Sequence, residues 1–496
     1  MEIRYKSTRG NTESITASQA ILQGLAPDGG LYVPDSVPEL GVSIEALSEM
    51  DYRQVAYEVM SRFLSDFTEE ELKTCIANAY DSKFDTEEIA PVVKKEGSGY
   101  YMELFHGPTI AFKDMALQIL PHLMTRAAAK NNISEEIVIL TATSGDTGKA
   151  AMAGFADVPG TRIMVFYPKG GVSNIQELQM LTQKGNNTCV VGVRGNFDDA
   201  QTGVKKMFSD EALKADLKKN GFVFSSANSI NIGRLVPQVA YYVWAYSRLV
   251  KSGEIKAGDR INFVVPTGNF GNILAGYYAK LMGLPVNKLI CASNDNKVLY
   301  DFFRTGIYNR NRDFILTSSP SMDILISSNL ERLIYMTCAN STSQTREYMK
   351  DLSDKGVYTL NINQIGGLSD FVPGYASEEQ NNEEIRRVFE SAGYVIDTHT
   401  GVASRVYQDY LRRTGDKTPS VIVSTASPYK FARSVMTAID PGYDSMDDFQ
   451  LISELNKISG TDIPNAIKEI MDAKIRHDKV CDISQMEAQV RSFLEK

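Results

Sequence analysis

Glu136-Ile137-Val138-Ile139-Leu140-Thr141, then Ser144-Gly145-Asp146-Thr147-Gly148, then Lys149 through Phe155, is the stretch that decides the fold class. Its opening run is apolar and rich in β-branched residues, as a strand buried on both faces requires. The glycines mark a turn, and the Ala- and Met-rich run that follows has helix-forming composition. The same order of strand, loop and helix recurs at Arg162–Tyr167 with Ser173–Gln183 and at Cys189–Val193 with Asp198–Phe208. It returns at Ile261–Val265 with Gly271–Met282 and at Lys288–Ala292 with Lys297–Phe303, and a last strand is predicted at Ser420–Thr425. Strands regularly separated by helices predict an α/β protein with parallel sheets covered on both faces. Ligands of such sheets bind beyond the carboxyl ends of the strands, where the glycine loops fall.

Outward from this region, the leading segment has helical patterning at Ser14–Leu25 and Tyr52–Phe67, separated by the turn-rich Ala26-Pro27-Asp28-Gly29-Gly30. Asp440, Pro441 and Gly442 mark the border of a polar, helical tail. In a chain of 496 residues with 43% hydrophobic and 23% charged side chains, this organisation predicts a multidomain globular protein. Expected boundaries are an N-terminal domain at 1–98, a catalytic α/β region at 99–440 with its smaller subdomain at about 130–230, and a tail at 441–496. A net charge of −9 gives no basic surface for nucleic acid. No run approaches the roughly 18 apolar residues of a membrane helix, and the N-terminus lacks a signal-peptide core. The five cysteines and four histidines lack paired or ligand spacing, which predicts reduced thiols, no metal and a cytoplasmic setting.

Phe105-His106-Gly107-Pro108-Thr109-Ile110-Ala111-Phe112-Lys113-Asp114 sets a lysine in an apolar, tightly turning segment. Burial lowers a lysine's pKa, and the free amine can attack an aldehyde; the alternative is a side chain that snorkels beside the turn. Thr267-Gly268-Asn269-Phe270-Gly271-Asn272 follows a predicted strand and opens a helix. Its amides suit a single phosphate better than the two of a dinucleotide, unless it is an ordinary turn. Ser144–Gly148 also opens a helix, as a cap or as an anion site. Ala227-Asn228-Ser229-Ile230-Asn231-Ile232-Gly233-Arg234 reads as a capped helix start with an arginine whose fork matches phosphate oxygens.

Together these motifs, with QAILQGLAPDGGLYVPDSVPEL near the start, resemble threonine synthases, pyridoxal-phosphate (PLP) enzymes of fold type II. The motifs run from residue 19 to 431 in the family's order. The resemblance implies two parallel-sheet subdomains, an extra N-terminal domain and a helical tail. It implies that Lys113 carries PLP, that Gly268, Asn269, Phe270, Gly271 and Asn272 cradle its phosphate, and that Thr425 partners its ring nitrogen. Ser144, Gly145, Asp146 and Thr147 are then the substrate-carboxylate loop. Asn228, Ser229, Asn231 and Arg234, with Lys149 as a second cation, lie at a substrate phosphate. The implied substrate is O-phospho-L-homoserine, converted with water to L-threonine and phosphate by a monomer or homodimer. A dehydratase-like PLP enzyme or a non-catalytic PLP-binding relative is the alternative. The chain departs from the family pattern at Ser427, where a histidine is usual, and at Thr398, where a proline is usual.

Overall fold

The computed structural model describes residues 2–495 apart from 11, 12, 96, 98, 144 and 173. Two sheets organise it. The larger runs in the order Phe371–Tyr375, Val286–Ser293, Ile261–Pro266, Ser420–Ser424, Gly99–Glu103, Val92–Lys95. All its neighbours are parallel except the last pair, an antiparallel edge. The smaller is parallel throughout, in the order Lys479–Asp482, Thr188–Arg194, Thr161–Pro168, Glu136–Ala142, Phe222–Ser225.

The period-two geometry of a strand sorts the core between the two faces of the larger sheet. Phe263 and Val265 join the cluster built on helix Ile232–Lys251, whereas Val264 between them joins Ile385, Val388, Val402 and Val406 from helices Glu378–Ala392 and Thr398–Thr414. The smaller sheet divides likewise. Ile137, Ile139 and Val165 face the main core, and Val138, Leu140 and Phe166 face helices Phe197–Ser209 and Glu211–Lys219. Helix Ile232–Lys251 is apolar around nearly its whole circumference and is accordingly buried between layers.

The repeated strand-loop-helix units stand within three residues of the expected positions, and the leading segment is helical at Ala17–Gln23 and Tyr52–Phe63. Other features differ, and Val92–Lys95, Gly99–Glu103 and Phe222–Ser225 are strands not foreseen. Phe371–Tyr375 is an edge strand not foreseen, its Pro373 placed where one side of the ladder lies open. The tail is helical at Asp448–Ser459, Asn465–Met471 and Met486–Leu494, but it also contributes the strand Lys479–Asp482. That strand is four residues long with charged ends, and its register is carried by buried Cys481 opposite Val193. Among the described residues no helix is long and apolar enough to cross a membrane.

Candidate active site

The carboxyl ends of Gly99–Glu103 and Ser420–Ser424 lie side by side, and the segments leaving them stay paired. Phe112 N–H donates to Thr425 O at 2.8 Å, Ser427 N–H donates to Ile110 O at 3.0 Å, and Ala111 bridges Ala426. Asp114 pins the preceding turn by accepting Thr109 N–H at 2.8 Å and Thr109 Oγ1–H at 2.6 Å. Lys113 therefore opens helix Asp114–Leu117 from a fixed backbone, directly beside Thr425, and both are buried.

The lysine does not snorkel. Its Nζ lies 2.9 Å from Ser321 Oγ and 3.5 Å from Asp146 Oδ2. Burial holds the ammonium below its ordinary range; Asp146 opposes this, while Lys430 and Arg234 add to it. Asp146, first residue of helix Asp146–Phe155, also takes Gln176 Nε2–H at 2.8 Å and lies 3.4 Å from Lys430 Nζ. Burial alone would raise the Asp146 carboxyl, but Lys430, Lys113 and Gln176 outweigh it and hold the group ionised. Asp146 was expected to bind substrate through its backbone; its side chain is the counter-ion of the lysine cluster. Gly145 precedes it at φ +132°, and an added Cβ would stand 2.6 Å from the Gln176 side chain. The loop is further tied by Thr143 Oγ1, which accepts Gly145 N–H and Gly148 N–H at 3.0 and 2.9 Å. Thr147 is half-buried in the helix's first turn, and Ser144 lies outside the described residues.

The Gly268–Asn272 loop closes another side. Ser327 Oγ–H donates to Gly268 O at 2.7 Å, and the Asn329 backbone and side-chain N–H groups both donate to Asn269 O at 3.0 Å. The carbonyls are thus held from outside, while no N–H of residues 268–272 donates to another backbone carbonyl among the described residues. Phe270 has φ +64° and its ring stacks on Phe303, so its contribution to the loop is backbone. Asn269 is exposed. Asn272 accepts Tyr241 and Tyr242 hydroxyls at 2.6 and 2.7 Å, and its buried Nδ2 has no partner among the described residues.

Arg234 is 4% exposed, with one nitrogen bonded to Ala227 O at 3.0 Å and a buried Nε without a partner among the described residues. Burial pushes its pKa down to about 10. No carboxylate pairs with it among the described residues, an arrangement that suits an incoming anion. Lys149 is bonded to the Gln183 side chain, and burial followed by the charge of Lys430 pushes it down to about 8. Asn228 is exposed and Ser229 half-buried. Asn231 differs from expectation: its Oδ1 caps Gly233 N–H at 2.8 Å and its Nδ2 donates to Ile21 O and Ser226 O at 2.9 and 3.0 Å. Its side chain anchors the segment to the N-terminal helix instead of facing a ligand.

Three further participants had no site role assigned from the sequence, although Lys430 and the Asp397–His399 stretch resemble the family pattern. Lys430 is 2% exposed and donates to Thr109 O at 2.9 Å. Ser321 touches both Lys113 and Asp146. Asp397 caps helix Thr398–Thr414 and accepts His399 Nδ1–H at 2.7 Å. Only the close spacing of Asp397 and His399 could have suggested a pair. Ser427 caps the turn at Tyr429 N–H, 3.3 Å away, and Thr398 Oγ1–H donates to Ser318 O at 2.7 Å. Both departures from the family pattern thus have local structural roles.

Profiles described as "Threonine synthase N terminus", "Pyridoxal-phosphate dependent enzyme" and "Threonine synthase, C-terminal" match residues 4–80, 91–427 and 400–491. Threonine synthase-like 1 of Macaca fascicularis is 38% identical over 95% of this chain, which spans 63% of that relative's length. Threonine synthase of Schizosaccharomyces pombe is 36% identical over 88% of this chain and 90% of its own. The crystal structure of PLP-bound threonine synthase from Brucella melitensis superposes with a TM-score of 0.88 at 34% identity, covering all of both chains.

Proposed function

The chain belongs to the threonine synthase family of pyridoxal-phosphate-dependent enzymes, and from that premise we propose that it converts O-phospho-L-homoserine and water into L-threonine and phosphate. Its fold is PLP fold type II and its cofactor is pyridoxal 5′-phosphate. The described residues fit that group. Lys113 is a buried amine, and a Cβ on Gly268 would sit 2.3 Å from Ser321 O, so only glycine suits the loop there. The open amides of 268–272 and the unpartnered Asn272 Nδ2 await an acceptor.

In this reading Lys113 would anchor the cofactor, Gly268–Asn272 would hold its phosphate and Thr425 would partner its ring nitrogen. When bound, the cofactor supplies an electron sink for charge developing at the substrate's α-carbon. Everything else falls to side chains of the chain. Lys113 Nζ removes the α-proton and moves the β-proton. The start of helix Asp146–Phe155 takes the amino acid's carboxylate through its free N–H groups. Arg234, with Lys149, Asn228 and Ser229, holds the phosphate that leaves from the γ-position. Assignment to the lyases and work in the cytoplasm belong to the same proposal.

The observation that carries the reading is Arg234, a buried guanidinium with an unsatisfied Nε and no carboxylate partner among the described residues. A dehydratase acting on an unphosphorylated amino acid has no use for it. Arg234→Ala is expected to raise KM for O-phospho-L-homoserine by about a hundredfold, the worth of a charge-assisted contact. Turnover of serine or threonine that exceeds turnover of the phosphorylated substrate, and that is indifferent to Arg234→Ala, would favour the dehydratase.

A further inference from the structure

Ser321 sits on the single turn Pro320–Met322, remote in sequence from every motif above. Asp323 holds that turn by accepting Thr317 N–H at 3.0 Å, Thr317 Oγ1–H at 2.7 Å, Asn294 Nδ2–H at 2.7 Å and Asn296 Nδ2–H at 3.0 Å. Ser321 meets four residues from it. Its Oγ lies 2.9 Å from Lys113 Nζ and 3.1 Å from Asp146 Oδ2. Its backbone N–H donates to His399 Nε2 at 3.2 Å. Its carbonyl packs against the α-carbon of Gly268.

A serine on a turn ordinarily caps its own backbone. Here neither hydroxyl contact is to the turn. Asp146 can only accept, so the hydroxyl proton points to Asp146 and a lone pair of Oγ faces Lys113. His399 Nε2 accepts from an amide, which places the ring proton on Nδ1, against Asp397 Oδ2. The ring is also packed on Phe431, its centroid 4.9 Å away. Asp397 thus orients His399, His399 orients Ser321, and Ser321 orients the reactive nitrogen.

We propose that Ser321 is a further catalytic residue, whose hydroxyl holds the Lys113 amine in line for proton transfer, with Asp397 and His399 as the residues that position it. The proposal rests on the reading of Lys113 as the proton carrier. No bond is made or broken by Ser321; it accepts an N–H of the ammonium while donating to Asp146. The charged groups bearing on Lys113 are Asp146, Lys430 and Arg234, and a change at Ser321 leaves all three in place.

The test begins with cofactor-free protein, in which acylation of Lys113 by acetic anhydride is followed across pH by mass spectrometry of its peptide. Ser321→Ala removes an acceptor from the ammonium, so the labelling midpoint should fall by about one pH unit. Ser321→Thr should restore it, and His399→Asn should shift it in the same direction by less. With PLP and O-phospho-L-homoserine, Ser321→Ala should lower kcat by roughly ten- to a hundredfold with KM little changed. An unmoved midpoint, or a moved midpoint with kcat within about twofold of wild type, overturns the assignment. If the wild-type protein makes no threonine, the functional reading fails, while the labelling midpoint still decides whether Ser321 holds Lys113.

Discussion

On the proposed reading Lys113 concentrates the chemistry of the molecule in one nitrogen, and its neighbours explain how that nitrogen is kept usable. Asp146 retains Lys430 and Gln176 as partners when Lys113 is removed, so Lys113→Ala should keep its circular dichroism spectrum. The same variant should lose turnover by about a thousandfold or more, since Lys430, the other amine beside Asp146, is held on Thr109 O; full turnover would refute the assignment. His106, in the same motif, has a different task. Its Nδ1 lies 2.5 Å from Asp85 and its Nε2 2.9 Å from Glu103, so it clamps the linker before the larger sheet to the turn that carries Lys113. Burial alone would lower its pKa, but the two carboxylates outweigh burial and hold it up to about 9. The folded state therefore binds this proton more tightly than the unfolded chain, whose histidine titrates near about 6.5. The stabilisation is fully present below about pH 6.5 and is lost as pH rises through about 9. His106→Gln should cost about 2 kcal/mol in urea unfolding at pH 6 and close to nothing at pH 10. A deficit equal at both pH values would mean that packing, not charge, is what His106 supplies.

At the level of elements, two of the proposed anion sites lie where a glycine-bearing loop opens a helix, at Asp146–Phe155 and Gly271–Leu281. Gly268→Ala would drive a Cβ to 2.3 Å from the backbone oxygen of Ser321, which cannot swing away as a flexible side chain can. Equilibrium titration with PLP should show affinity lowered about ten- to a hundredfold, the usual range for overpacking, with the fold intact; unchanged affinity would mean that the loop does not hold the cofactor. Glycine loops and the lysine turn were legible because their spacing reports backbone geometry, and backbone geometry is local. Ser321 was not legible: a serine among Ser318, Ser319 and Pro320 has no periodicity or spacing, and only the packed chain sets it beside Lys113. Asn231 was misplaced for a related reason. An Asn near a helix start suits both a cap and a ligand contact, and the partners that decide, Ile21 O and Ser226 O, lie elsewhere in the chain. The strand Lys479–Asp482 escaped because its charged ends conceal the one buried position that registers it.

Over the whole molecule, the two ends of the chain tie different parts together, the first the site loops and the second the smaller sheet. Near the N-terminus, Arg9 forms a two-pronged pair with Glu331, and the neighbouring Arg332 is fully buried. Arg332 donates to Tyr32 O at 2.9 Å and to Ile230 O at 2.6 Å, and it bonds the Asn329 side chain that also holds Asn269 O. The N-terminal segment, the Asn228–Arg234 segment and the Gly268–Asn272 loop thus share one network. At the other end, Lys479–Asp482 covers the edge of the smaller sheet, and Val490, Phe493 and Leu494 join its outer core. Deleting residues 478–496 should bare that edge and lower Tm by roughly 5 °C or more, with aggregation on heating; an unchanged melting curve would mean the tail is dispensable to the sheet. The central claim, that buried lysine, open amide loop and an arginine without a carboxylate partner among the described residues together make threonine, is tested most directly by incubating the protein with PLP and O-phospho-L-homoserine and measuring threonine and phosphate together over time. Equimolar release of both is the predicted result; phosphate with a keto acid and no threonine, or neither product from protein that has bound PLP, would contradict it.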